Sequence, residues 1–265
     1  MENSTIDLLM KRRSTRSFSE QQVDAETKLR IQEATLRAPT AGNQVFYSII
    51  DVTDQKTKEK LATLCDNQPM IAKAQMVWLF VADVQKWENL YHLAGSVELG
   101  KKSGIEERNP GAGDLFLAQD DALIAAQNAV IAAQSFGIGS CYIGDILENH
   151  EDIIELFSLP KYATIATLVI FGYPKSTSDL AYPAIRPPVD SVFMENRYED
   201  YTLERLHYTY GKQEERLREK NALPFDNTGN ISDYYYFRKH TSDFMKEMNR
   251  SSALLYERWM KEETP

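Results

Sequence analysis

Cysteine is scarce in this chain of 265 residues: there are two, Cys65 and Cys141, far apart and in no CxxC or Cys-His metal spacing. That argues against a disulfide framework and against a thiolate-bound metal. Histidine is also rare, and His92, His150, His207 and His240 each stand alone, which favours surface or packing roles. Missing too are a nucleophile elbow with a Ser-His-Asp order, an HExxH helix, a P-loop and a paired-carboxylate signature. Positive charge is in deficit, with 39 Asp and Glu against 30 Lys and Arg, so neither nucleic acid nor an anionic membrane is expected as a general partner. No run reaches the roughly 18 apolar residues of a membrane span, and the opening Met1-Glu2-Asn3 lacks a signal pattern. These absences lead to the expectation of a reduced, cytoplasmic protein. No repeat or low-complexity tract occurs either.

What is present is enough apolar material, 43% of residues, for a sizeable core in one large domain or two small ones. Ser4 with Asp7 reads as a capping box opening a short helix. Asp24 reads as the cap of another, with Leu29, Ile31, Ala34, Leu36 and Ala38 near one face and Pro39 discouraging continuation. Residues 45–52 and 76–82 read as strands, the first covered on both faces, the second with Trp78 and Phe80 on one face. The polar stretch 54–64 reads as a surface helix. Residues 85–113 read as a long, mobile, helix-compatible excursion. Asp114 then caps the central helix, whose Ala125, Ala126, Ala129, Ala132 and Ala133 suit close packing, and Gly137 stops it. A short helix over 149–157 and a buried strand over 163–173 follow. Beyond the proline-rich run 182–188, residues 198–220 and 232–261 are charged, helix-compatible and rich in tyrosine. Gly137, Gly139 and Gly144 are not a dinucleotide fingerprint, because their spacing is wrong and they follow a helix. They suit a tight connection that a flat ligand could approach.

The densest chemistry lies in Lys11-Arg12-Arg13-Ser14-Thr15-Arg16-Ser17-Phe18, four cations and three hydroxyls in eight residues. Two readings fit that stretch alone. Arginine forks and hydroxyls suit the oxygens of a phosphate monoester. Equally, cations at the end of a short helix offset its macrodipole.

A second stretch, Arg37-Ala38-Pro39-Thr40-Ala41-Gly42-Asn43-Gln44, gives the chain a specific resemblance to the nitroreductase superfamily. It is most similar to the NADPH-dependent nitroreductase and flavin reductase branch. Asn67-Gln68-Pro69-Met70, the glycine-rich 137–144, and Phe171-Gly172-Tyr173-Pro174 with Arg186-Pro187-Pro188 agree with it in order, over roughly residues 4–200. The resemblance implies an FMN-dependent NAD(P)H oxidoreductase of ping-pong mechanism, passing hydride through flavin N5 to nitroaromatics, quinones or free flavin. It implies an α+β fold, a mostly antiparallel sheet wrapped by helices, as a homodimer with FMN at the subunit boundary. Residues 1–190 would form the FMN-binding core, and 191–265 a C-terminal helical extension embracing the partner subunit.

Residue by residue, the resemblance places Arg12, Arg13, Ser14 and Arg16 at the FMN phosphate. Thr40, Asn43, Asn67, Gln68, Met70 and the backbone of Tyr142, Ile143, Gly144 and Asp145 fall to the ring system. Arg186 matches a basic residue near the phosphate, but the family's second basic residue there is Ala184 in this chain. Arg216, Arg218, Arg238 and Lys239 are cations available to a coenzyme 2′-phosphate, which would favour NADPH over NADH. Two other readings stay open: a flavin carrier or redox sensor without turnover, and a structural protein whose basic motif merely ends a helix. Cys141 beside the proposed flavin loop reads as a buried structural thiol.

Overall fold

The computed structural model describes residues 3–176 and 184–261; of the proline-rich run, Tyr182 and Pro183 lie outside them. Four strands, β1 (Tyr47–Asp51), β2 (Met76–Asp83), β3 (Gly139–Ile143) and β4 (Ala163–Gly172), form one sheet in the order β1-β2-β4-β3. Every pairing is antiparallel, as the family resemblance implied and periodicity alone could not tell. β1 is shorter than expected and only Tyr47 in it is buried, because it lies at the sheet's edge with one neighbour. β2 and β4 are the centre. Their alternate residues divide between two cores, Met76, Trp78, Phe80 and Phe171 on one face, Val77, Leu79, Val81 and Ile170 on the other. A bulge opposite Phe80 and Val81 resets that alternation in β4, so Ala166 and Val169 share a face.

Helix α1 (Ser4–Lys11) is capped by Asn3, not Ser4: the Asn3 side chain accepts from the Thr5 and Ile6 amides. Asp24 caps α2 (Ala25–Thr35) as expected. The apolar face expected on α2 is not the buried one. Ile31 and Thr35, four residues apart, make the inward stripe, while Leu29 and Leu36 are 53% and 63% exposed. Leu29 stands two residues from Ile31, nearly opposite it round the helix. Asp54 caps α3 (Gln55–Leu64), and α4 (Pro69–Lys73) begins on its proline. The stretch read as an excursion holds two helices, α5 (Gln85–Leu93) and α6 (Ser96–Lys102).

The central helix, α7 (Ala112–Ser135), lays a stripe of small residues on the sheet. Ala118, Ala122, Ala125, Ala126, Ala129 and Ala133 are fully buried. Its cap is Gly111, not Asp114. Asp114 sits at the third position, where its carboxylate accepts from the Gly111 amide at 2.8 Å and pairs with Arg108. Gly137, at φ +73°, ends the helix as a left-handed C′ residue. Helix α8 (His150–Phe157) follows the turn Gly144–Leu147.

The chain divides into two compact units, Met1–Tyr182 with Met248–Pro265, and Pro183–Glu247. The helical stretches expected in the second unit are more broken than composition suggested. α9 (Leu203–Glu219) starts at a Thr202 cap, α10 (Ile231–Tyr235) runs into a π-helical turn, Tyr236–His240, and α11 (Asp243–Met260) is separate. Within the first unit, the later part of α11 is pinned by Arg258 to the Leu159 and Lys161 carbonyls at 2.7 and 3.1 Å. Trp259 donates to the Gly111 carbonyl at 3.1 Å, and Arg250 grips Glu151 with both ends of its fork. No helix among the described residues is long and apolar enough to cross a membrane.

Candidate active site

The basic segment leaves α1 at Arg12 and becomes a flat strip on the sheet. Ser14 bridges Ser140, Thr15 donates its amide to the Ser140 carbonyl at 2.8 Å, and Ser19 donates to the Tyr173 carbonyl at 2.8 Å. Room for the strip is made by Gly139 and Gly172, which face each other in the β3–β4 ladder. A Cβ on Gly139 would lie 2.2 Å from Thr15 Oγ1; one on Gly172 would lie 1.7 Å from Gln75 Oε1 and 2.8 Å from Phe18. Gly139 is therefore a packing gap, where the sequence suggested ligand access. Gly144, by contrast, opens onto free space. Thr15 is buried, leaving Arg12, Arg13, Ser14 and Arg16 along the outer edge.

Charge gathers there. Burial pushes the Cys141 thiol up, while Arg16, a hydrogen bond with Ser14, and Arg12 pull it back. Burial holds the Tyr142 hydroxyl at about 12, again opposed by Arg12. The Arg13 guanidinium donates through Nε to the Lys11 carbonyl at 3.4 Å, yet its Nη1 is buried with no hydrogen-bond partner. A buried guanidinium donor without an acceptor is costly, and a phosphate oxygen is the acceptor that suits it best. A surface cation offsetting a helix dipole would have no reason to bury a guanidinium nitrogen without an acceptor. The donor set fits an FMN phosphate.

β3 carries the strip's neighbours onward. Tyr142 hydrogen-bonds Gln127 of α7 at 3.3 Å, and the turn at Gly144 brings Asp145 close to Cys65, whose thiol burial raises to about 12. Asn149 donates to the Leu64 carbonyl at 3.0 Å. This places Asn67, Gln68 and Met70 just past the same turn; Asn67 is left-handed, Gln68 is the first residue before α4, and Met70 packs against the core that holds Val77, Leu79 and Ile170. The structure thus joins residues 12–16, 142–145 and 67–70 in one neighbourhood.

Thr40 and Asn43 are not brought there. Their loop docks on α7 at Asp121, whereas α1 docks at Gln134 through the Leu8 carbonyl, 2.7 Å. Thirteen residues of helix separate these anchors by about 20 Å. Arg186 belongs to the second unit and is exposed. The four cations considered for a 2′-phosphate are engaged: Arg216 with Glu219, Arg218 with Glu214, Arg238 with Tyr234, and Lys239 over the Phe244 ring at 5.2 Å.

Sequence reasoning missed Asp121. It is 3% exposed, and its two oxygens accept from the Ala41 and Phe46 amides at 2.9 and 3.1 Å. The signal was available: a carboxylate three residues after Ala118 and just before Ala122, on the one face of α7 otherwise built of small apolar side chains.

Comparison with known proteins gives the chain a lineage. A model of the nitroreductase family matches residues 9–173. The FMN reductase (NADPH) of Bacillus subtilis (strain 168) is 31% identical over 212 residues, 79% of this chain and 81% of its own. The oxygen-insensitive NADPH nitroreductase of Salmonella typhimurium is 32% identical over 209 residues, 79% of this chain and 80% of its own. Among solved structures, the NfrA1 nitroreductase of B. subtilis superposes with a TM-score of 0.82 at 25% identity, covering 97% of this chain and 99% of that one.

Proposed function

The chain belongs to the nitroreductase family, and on that premise we propose that NAD(P)H and an electrophilic acceptor occupy one open site in turn, a ping-pong cycle. It is an oxidoreductase that depends on FMN and NAD(P)H. When bound, FMN would supply the hydride chemistry that links NAD(P)H to a nitroaromatic, a quinone or free flavin as acceptor.

The chain's own residues bind and orient. Arg13 carries the reading, because its buried, unpartnered Nη1 is a donor waiting for an anionic acceptor. Arg12, Ser14 and Arg16 flank it along the strip and complete a phosphate grip. Gln68, Asn67, Met70 and the backbone of residues 142–145 face the ring end, with Gly144 leaving the approach clear. Thr40 and Asn43 reach the ring from a second copy of the chain. Their anchor on α7 lies thirteen residues from that of α1, which favours a second copy as their source. A homodimer is also supported by apolar side chains left exposed on α1 and α7, including Leu9, Met10, Phe116, Leu123 and Ile124. Residues 191–265 contribute to that embrace. A cytoplasmic setting fits two free, buried thiols. NADPH is favoured over NADH on the strength of the NADPH-dependent relatives, since the cations considered for a 2′-phosphate are already engaged.

A visible absorption spectrum of the purified protein, followed by NADPH oxidation with a quinone, tests the function. A yellow protein that bleaches with NADPH and recovers with the quinone is the expected result. A yellow protein that never bleaches would leave a flavin carrier, and a colourless one that takes up no FMN would leave a structural role.

A further inference from the structure

The loop between α2 and β1 is bent in a way its side chains resist. Gly42, Asn43 and Val45 all sit in the left-handed region, at φ +56°, +57° and +55°. Asparagine tolerates this, but a β-branched valine there is an outlier that costs on its own and persists only where the surroundings over-determine it. They do so from both sides. Below, Asp121 takes the Ala41 and Phe46 amides, one at each end of the bend. Above, Trp87 donates its indole N–H to the Gln44 carbonyl at 2.7 Å, and Thr40 Oγ1 accepts from the Val45 amide at 3.2 Å. The anchor itself is expensive: a carboxylate placed in the alanine face of the central helix, where an apolar side chain would pack without desolvating a charge. Two costly features spent on one short loop, with Asn43 at its exposed tip, mark a segment whose exact shape is used.

We propose that Asp121 is a positioning residue: it holds residues 40–46 in the bend that presents Thr40 and Asn43 to the flavin ring. This rests on the reading that those two residues touch the flavin. Asp121 itself is buried beneath the loop, so it acts only through the backbone. Replacing one carboxylate oxygen by an amide N–H would set donor against donor at Ala41 or Phe46 and release the bend.

The test is FMN titration of the full-length apoprotein, with the visible circular dichroism of the bound flavin recorded at saturation, for Asp121→Asn, Asp121→Ala, Thr40→Ala and Asn43→Ala. Asp121→Asn is expected to weaken FMN binding roughly 5- to 10-fold and to alter the flavin dichroism in the same sense as Asn43→Ala. A protein with a lowered melting temperature but unchanged FMN affinity and dichroism would reduce Asp121 to a structural anchor and overturn the proposal. If Asp121→Asn does not fold, Asp121→Ala decides, since it removes both acceptors from under the bend and leaves a small side chain that the alanine face of α7 accommodates. Unchanged dichroism there overturns the proposal as well. Silence of both Thr40→Ala and Asn43→Ala, with Asp121→Asn still active on the dichroism, would instead remove the ring-contact reading on which the proposal stands.

Discussion

Residues 12–16 and residues 40–46 are both expected to face the cofactor, yet they are placed by opposite devices. The first lies flat because side chains are absent beneath it: Gly139 and Gly172 leave a trough that Thr15 and Phe18 fill. The second is bent because a side chain is present beneath it, the buried Asp121. One is shaped by room and the other by pull. The consequence is that glycine should be indispensable under the first segment and harmless, or nearly so, within the second.

Gly172→Ala should therefore do the most damage to the fold. Its Cβ would overlap Gln75, which holds the Ser19 carbonyl at 2.7 Å, and press on Phe18. Overpacking of this kind costs about 1–3 kcal/mol, so the apoprotein should melt several degrees lower and bind FMN less well. Gly139→Ala should behave similarly through Thr15, and adding Thr15→Gly should recover much of the loss. Equal penalties with and without Thr15 would mean that the trough is not what shapes the strip.

Val45→Gly is the opposite experiment. It removes a β-branched side chain from φ +55° and relieves strain of about 1–3 kcal/mol, while loosening the unfolded chain by up to about 1 kcal/mol and losing some packing. Apoprotein stability should stay within about 1 kcal/mol of the parent by denaturant titration. A loss as large as that of Gly172→Ala would erase the contrast between the two segments.

The smallest effect should come from a site that belongs to neither. Arg250 draws the Glu151 carboxyl down from 4.5 to about 2. A lowered folded-state value stabilises above pH 4.5 and is lost as pH falls towards 2. Glu151 is half exposed, so solvent discounts the pair to less than about 1 kcal/mol. Between pH 4.5 and 2, the parent should lose slightly more stability than Arg250→Ala. Identical acid profiles for the two proteins would show the pair contributes nothing.

How much of this was legible beforehand follows the same divide. The strip announced itself because its chemistry is local: four cations and three hydroxyls in eight consecutive residues. β2, β4 and the central helix were legible because their burial is written as period and as small residues. The caps at Asn3 and Gly111 were misassigned by one and three residues, since several acceptors stand near each helix start and only geometry selects one. The exposed Leu29 and Leu36 were misread because an apolar list was taken for a stripe. Asp121 and the reason for Gly139 were hidden for a deeper cause: each acts on a segment 75 or more residues away in sequence, and no local pattern records the partner.

The central claim is that Arg13 holds the phosphate of FMN. It is tested by titrating full-length apoprotein, parent and Arg13→Ala, with FMN and with riboflavin, which lacks the phosphate. A charge-assisted hydrogen bond of about 1.5–3 kcal/mol predicts FMN affinity weakened roughly 10- to 150-fold, with Arg16→Ala in the same range and riboflavin affinity nearly unchanged. Unchanged FMN affinity in a folded Arg13→Ala protein, or an equal loss for both ligands, would contradict it.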